Sequence, residues 1–125
     1  MTDYSTIASV RLMNSRFTSY RVPDANVTQF IAAAKKNVNS ILNLTEDLTT
    51  AQLAECNADV VSDLMCAIAC CNYDPEKVFY KKPDEATQQT KRFNEMLYDA
   101  KEILRKFKVT AVAPSEAGFT LMTNS

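Results

Sequence analysis

No histidine and no tryptophan occur in these 125 residues, and the lone glycine, Gly118, stands close to the C-terminus. Each absence excludes something. Without imidazole there is no Ser-His or Cys-His nucleophile pair and no histidine metal ligand, and without glycine before position 118 there is no phosphate-cradling loop. No apolar run approaches the roughly 20 residues that a membrane-spanning helix needs. With 14 basic and 15 acidic residues the net charge is −1, so the broad positive field that grips nucleic-acid phosphates is missing as well. The composition therefore argues against a catalyst of the common kinds, a cofactor, a bound metal or a membrane partner.

What is present is a folding sequence. Apolar residues make up 46% and charged residues 23%, the proportions of an ordinary globular domain, and the length suits one core. Three stripes of apolar residues recur at intervals of three and four. Val27, Phe30, Ile31, Ala34, Val38, Ile41 and Leu42 form the first; Leu53, Cys56, Val60, Leu64, Ala67, Ile68 and Cys71 the second; Phe93, Met96, Leu97, Ala100, Ile103, Leu104 and Phe107 the third. That spacing predicts helices, and each must find other stripes to pack against, because isolated helices of this length are marginal in water. The expected fold is all-α: three long helices and a short N-terminal helix in a domain spanning 1–109, then an extended C-terminal tail over 110–125.

Boundary signals refine this picture. Ser5 or Asp3 is positioned to cap a short helix toward Phe17, with Ile7, Val10, Leu12 and Met13 as its apolar contacts; Asp24 caps the first long helix, Thr49 or Thr50 the second, and Asp84 the third. The second long helix is expected to run unbroken to Tyr73. Between Asp74-Pro75 and Lys82-Pro83, where the backbone leaves helical geometry, stand Val78, Phe79 and Tyr80. Three bulky apolar residues in a loop fold back on the helices or touch a partner. Beyond Lys108 the sequence turns small and polar, with Val109, Val112, Phe119, Leu121 and Met122 as candidate anchors to another chain.

Charge and cysteine usage fit a structural role. From Thr45 to Pro75 the residues Glu46, Asp47, Glu55, Asp59, Asp63 and Asp74 meet no Lys or Arg; from Glu76 to Val109 nine basic residues outnumber six acidic ones. Such asymmetry can orient one copy against the next. The four cysteines, Cys56, Cys66, Cys70 and Cys71, read as small buried apolar residues rather than disulfides or metal ligands, because zinc sites bring their cysteines in close pairs at turns. Asp59 and Asp63 read as a solvated acidic face. The opening MTDYSTIASVRLMN has an acidic residue at position 3 and no apolar run of secretory length, so a cytoplasmic protein is expected.

Taken in order, four segments resemble the small head-to-tail connector, or adaptor, proteins of long-tailed bacteriophages, the Mu-like connector group included. They are Tyr4-Ser5-Thr6-Ile7 to Phe17, Ala25-Asn26-Val27-Thr28-Gln29-Phe30-Ile31 to Leu42, Asp59-Val60-Val61-Ser62-Asp63-Leu64 to Tyr73, and Thr90-Lys91-Arg92-Phe93 to Val109. Where that family ends its first long helix with a Gly-Tyr-Leu type of segment and a following proline, this chain has Ser40-Ile41-Leu42 and no proline. The resemblance implies a homo-oligomeric ring, a dodecamer, beneath the portal protein of a filled capsid. It implies docking to a stopper or tail-completion protein, passage of genomic DNA without specific binding, and a place in the virion neck after assembly in the host cytoplasm. The competing expectation is a small helical DNA-binding regulator, for which Thr90 to Lys108 is the one candidate recognition helix.

Overall fold

Apolar residues three and four apart wind into helices throughout the computed structural model, which describes residues 3–79 and 83–107. In chain order these are α1 (Ile7–Arg11), α2 (Asp24–Ile41), α3 (Thr50–Glu55), α4 (Ala58–Tyr73), α5 (Pro75–Val78) and α6 (Pro83–Arg105). The protein is all-α, with no strand among the described residues. The long elements are α2, α4 and α6, at 18, 16 and 23 residues.

Helix α4 is the centre. It meets α2 on one side and α6 on the other, both antiparallel to it. Phe30 near the start of α2 packs edge-on against Tyr73 at the end of α4, with ring centroids 6.3 Å apart. At the other side, Asn57 just before α4 donates from Nδ2 to the Ala100 carbonyl near the end of α6 at 2.9 Å. The α4 residues Ala58, Val61, Ser62, Leu64, Cys66, Ala67, Cys70 and Cys71 are all buried. Most are small, which lets neighbouring helices approach closely while the larger Val, Leu and Phe side chains of the flanking helices fill the space between.

The second stripe is broken where the sequence predicts one helix. Cys56 is extended (φ −131°, ψ 179°), ending α3 after a capping box in which Thr49 and Gln52 exchange side-chain and backbone bonds. Asn57 explains the break. Its Nδ2 donates across to α6, its buried Oδ1 has no hydrogen-bond partner, and α4 starts without a side-chain cap. Other boundaries shift for similar local reasons. Thr6, with Ser9 in a capping box, starts α1 in place of Ser5 or Asp3, and α1 stops at Arg11, leaving Leu12 86% exposed rather than in the core. Pro23 takes the position before α2, so Asp24 lies inside the first turn, and Asp84 likewise follows Pro83 within α6.

The end of α2 shows how a chain almost without glycine closes a helix. Asn43 adopts φ 56°, the Leu44 N–H donates to the Asn39 carbonyl at 2.8 Å and the Asn43 N–H to the Ser40 carbonyl at 3.1 Å. This is the left-handed cap that glycine favours, taken here by the residue type next best suited to it.

The connector between α1 and α2 packs over one end of the bundle. Phe17 lies against Phe79 (centroids 6.5 Å, edge-on) and Phe93 (6.3 Å), tying the connector to the loop after α5 and to α6. Arg11 holds its backbone by donating to the carbonyls of Phe17 and Val22, each at 3.0 Å, and to Asp24. Arg16 reaches Glu85 at 3.2 Å. Truncating Phe17 to Ala removes the shared wedge, and a urea melt of Phe17→Ala is expected to show a loss of about 3–5 kcal/mol.

Candidate interaction surface

Several buried polar groups among the described residues are tied to one another and to the backbone, while the buried Oδ1 of Asn57 has no hydrogen-bond partner. Lys35, only 9% exposed at its side chain, meets Asp47 at 2.9 Å and Asp3 at 3.7 Å. Asn39, one turn further along α2, donates to the other Asp47 oxygen at 2.9 Å and accepts from the Tyr4 hydroxyl at 2.6 Å. The same hydroxyl accepts the Leu48 N–H at 2.7 Å. One knot thereby fastens the N-terminal segment and the α2–α3 loop to α2. The hydrogen bond from Lys35 holds the Asp47 carboxyl below its ordinary range, while the bond to Asp47 pushes the Lys35 ammonium above its own. Burial raises the Tyr4 phenol.

A second set fixes α1 to α4: Ser5 donates to Ser62 at 2.6 Å in the buried interior, and Ser9 lies 2.8 Å from Asp63. Much of the acidic run that the sequence shows is thus already satisfied internally. Asp47 is paired with Lys35, Asp63 accepts from Ser9, and Asp74 caps α5 through the Lys77 N–H. The basic excess of Glu76 to Val109 is carried by Lys77, Lys81, Lys82, Lys106 and Lys108, outside α6. Its Lys91, Arg92, Lys101 and Arg105 stand against Asp84, Glu85, Glu95, Asp99 and Glu102, for a net −1, and Arg105 is bonded to Glu102.

The cysteines are free; Cys66, Cys70 and Cys71 are buried and Cys56 partly so. Burial pushes the Cys66 and Cys70 thiols up to about 12 and that of Cys71 to about 11, and it raises Cys56 as well. A thiol that stays protonated is a poor nucleophile and a poor metal ligand. Among the described residues no three His, Cys, Asp or Glu side chains come together as a metal site.

Of the residues singled out from sequence as partner contacts, Val78 and Phe79 are completely buried. They fold back onto the bundle and are not available to another chain. Asp74 caps α5 and Pro75 begins it, and after this short turn Phe79 packs against Phe17 from the α1–α2 connector. Tyr80, Val109, Val112, Phe119, Leu121 and Met122 lie outside the described residues.

The exposed apolar groups are elsewhere. Val60 is 47% exposed, Met96 45% and Ile103 60%, although all three belong to the apolar stripes. Met96 and Ile103 are seven residues apart, so they lie on nearly the same side of α6, about 20° from alignment. On the other side of α6, Asn94, Leu97 and Lys101 border a shallow groove of about 520 Å³ shared with Asn37, Ile41 and Met65. Met96 and Ile103 therefore face away from α2. Val60 lies one turn beyond Asn57, whose side chain marks the crossing to α6 at Ala100. The three exposed side chains thus belong to the two helices that pack against each other, Val60 to α4 and Met96 and Ile103 to α6. The connector residues Arg16 and Phe17 cover this seam near Glu85 and Phe93 and leave its other half open. The signal in the sequence was angular: Met96 and Ile103 sit off the axis of the stripe defined by Phe93, Leu97, Ala100 and Leu104, all of which are buried.

A second opening, an open groove of about 660 Å³ beside α6, is lined by Asn72, Pro75, Ala86, Thr90, Asn94 and Tyr98, the last 66% exposed. Neither opening gathers a nucleophile, a base and an oxyanion donor. No helix of the described residues is long and apolar enough to cross a membrane. Compared with known proteins, the chain matches no family model, no curated protein and no solved structure.

Two measurements check the chemistry of this interior. Native protein exposed to iodoacetamide at neutral pH is expected to leave Cys66, Cys70 and Cys71 unmodified, with all three alkylated once urea unfolds it, as read by mass spectrometry. Replacing Asp47 by Ala is expected to cost about 1.5–3 kcal/mol, since it strips a nearly buried cation of a charged hydrogen bond. Because the folded-state Asp47 value is depressed, this contribution is present above the unfolded carboxyl value of about 3.9 and disappears as pH falls through the depressed one. Because Lys35 is raised, the contribution also persists up to about pH 10.4 and is lost above it. The difference in urea midpoint between wild type and Asp47→Ala should therefore stay constant from about pH 5 to 9 and shrink below about pH 4.

Proposed function

We propose that this protein is a structural subunit without catalytic activity, and that it is an adaptor of a bacteriophage neck that forms a ring beneath the portal and docks a stopper or tail component. The observation that carries the reading is the exposure of Val60, Met96 and Ile103, three residues of the apolar stripes, on the helices α4 and α6. Large apolar side chains of the helical stripes stay in water only at a cost, which another chain removes by covering them. The chemistry of the interior supports the same reading, because its titratable groups hold the fold together in place of facing a substrate.

The four segments that resemble the connector proteins coincide with α1, α2, α4 and α6, the elements that build the bundle. A subunit with a small core and weak individual contacts suits a closed ring, where many equal interfaces act together. The near-zero net charge suits a channel wall past which DNA slides without being held. The DNA-binding alternative needs exposed basic residues on the candidate recognition helix Thr90 to Lys108, where Arg105 is already bonded to Glu102.

The reading is tested by mixing purified protein with portal complexes and following both by sedimentation, with electron microscopy of the chain alone. Co-sedimentation and ring-shaped particles are expected. A chain that neither associates with portals nor assembles by itself overturns the proposal. Retention on DNA at physiological ionic strength would point to the regulator in its place.

A further inference from the structure

The apolar stripe that runs from Leu53 through Cys56, Val60, Leu64 and Ala67 to Cys71 keeps a spacing of three and four across the point where the helix is broken. Nothing in the residue types demands the break. From Thr50 to Tyr73 there is no proline and no glycine, the residues that interrupt a helix from within. The interruption is confined to two positions: Cys56 is extended, and Asn57 takes φ −102° and ψ 28°.

The broken form serves its polar groups poorly. The buried Oδ1 of Asn57 has no hydrogen-bond partner, and α4 begins without a side-chain cap. The Val60 N–H is met at 2.9 Å by the carboxylate of Asp59, the residue just before it, in place of a carbonyl one turn back. On the other side of the break, α3 contributes no buried residue, and Leu53 and Cys56 are only partly covered. The bond that ties the junction to the bundle runs from Asn57 Nδ2 to the Ala100 carbonyl of α6 at 2.9 Å. In an unbroken helix the N–H groups of Ala58, Asp59 and Val60 take the carbonyls of Ala54, Glu55 and Cys56. The straight form thus exchanges one side-chain bond and an orphaned oxygen for continuous backbone bonding.

We propose that the Cys56–Asn57 junction is a two-position switch. With Asn57 latched to Ala100, α3 is folded off the axis of α4; with the latch released, Cys56 and Asn57 become helical and residues 50–73 form one helix. Thr49, extended and exposed, is the second pivot. It stands between the moving segment and Leu48, which is buried and bonded to the Tyr4 hydroxyl. On a single helix Leu53, Cys56 and Val60 fall within about 60° of one another, so Val60, already 47% exposed, gains two apolar neighbours on its own side. The latch decides whether that stripe is presented or interrupted. Because the acceptor is the Ala100 carbonyl, the switch answers to the position of α6 against α4. It stands independently of the adaptor reading.

The test uses the full chain labelled with 13C and 15N. In wild type, relaxation-dispersion and saturation-transfer NMR at residues 53–60 is expected to find a minor form, no more than about 10% of the molecules, in which the Cα shift of Cys56 is helical. Asn57→Ala removes the latch and supplies a better helix former. In that variant the straight form is expected to rise at least fivefold, to more than half of the molecules, with helical cross-peaks from Leu53 to Cys56 and the buried methyls of Val61, Leu64 and Leu104 unshifted. A wild-type chain without exchange at Cys56 and Asn57 overturns the proposal. So does an Asn57→Ala chain with an intact core in which Cys56 stays extended. Exchange to a form with random-coil shifts over residues 50–55 overturns it as well, because α3 then melts instead of joining α4.

Discussion

Everything in this fold depends on enclosing α4. Its buried positions circle most of the helix, from Ala58 and Ser62 through Leu64 and Cys66 to Cys71, so no single neighbour can cover it. Burying a helix on nearly all sides requires partners at several angles. Here α2 and α6 take two flanks, α1 a third, and the α1–α2 connector with Phe17, Val78 and Phe79 closes the end where α4 is most apolar. The small side chains of α4 make this arrangement possible, because Ala, Ser and Cys leave room for close helix approach. The same enclosure silences the thiols: a cysteine surrounded by apolar atoms keeps its proton.

Hydrophobic burial does not by itself say where the short elements go, and polar contacts decide that. Tyr4 and Asn39 bind the N-terminal segment to the middle of α2, Lys35 and Asp47 bring the α2–α3 loop to the same place, and Ser5 and Ser9 attach α1 to α4. Arg11 is the hub of the connector, since one guanidinium serves two carbonyls and a carboxylate. These contacts join residues far apart in the chain, and they rigidify the parts of the fold that carry little apolar surface. A bundle arranged in this way keeps one seam incomplete, between α4 and the second half of α6.

The helical stripes were readable because a period of 3.6 leaves its mark along one continuous segment. Existence and order of α2, α4 and α6 followed from it, as did the packing role of the cysteines. Ends and interruptions were not readable to the same degree. The break at Cys56 and Asn57 depends on a bond from Asn57 to Ala100, far along the chain, and nothing near Asn57 announces it. The fate of Val78 and Phe79 was open for a related reason. Bulky residues in a loop are equally compatible with folding inward and with contacting a partner, and the choice is made by Phe17, which arrives from another part of the chain. Val60, Met96 and Ile103 were counted with the core because helical spacing of three and four tolerates residues up to a third of a turn off axis.

The sequence alone determined the fold class: its periodicity demands amphipathic helices, and their apolar stripes must pack together. Those are properties of residue type and local spacing, which need no partner to be defined. The tertiary structure decided which apolar side chains are hidden, which charges are already matched, and where an edge stays open. Burial and ion pairing are made between segments distant in sequence, so they exist only after the helices have taken their places.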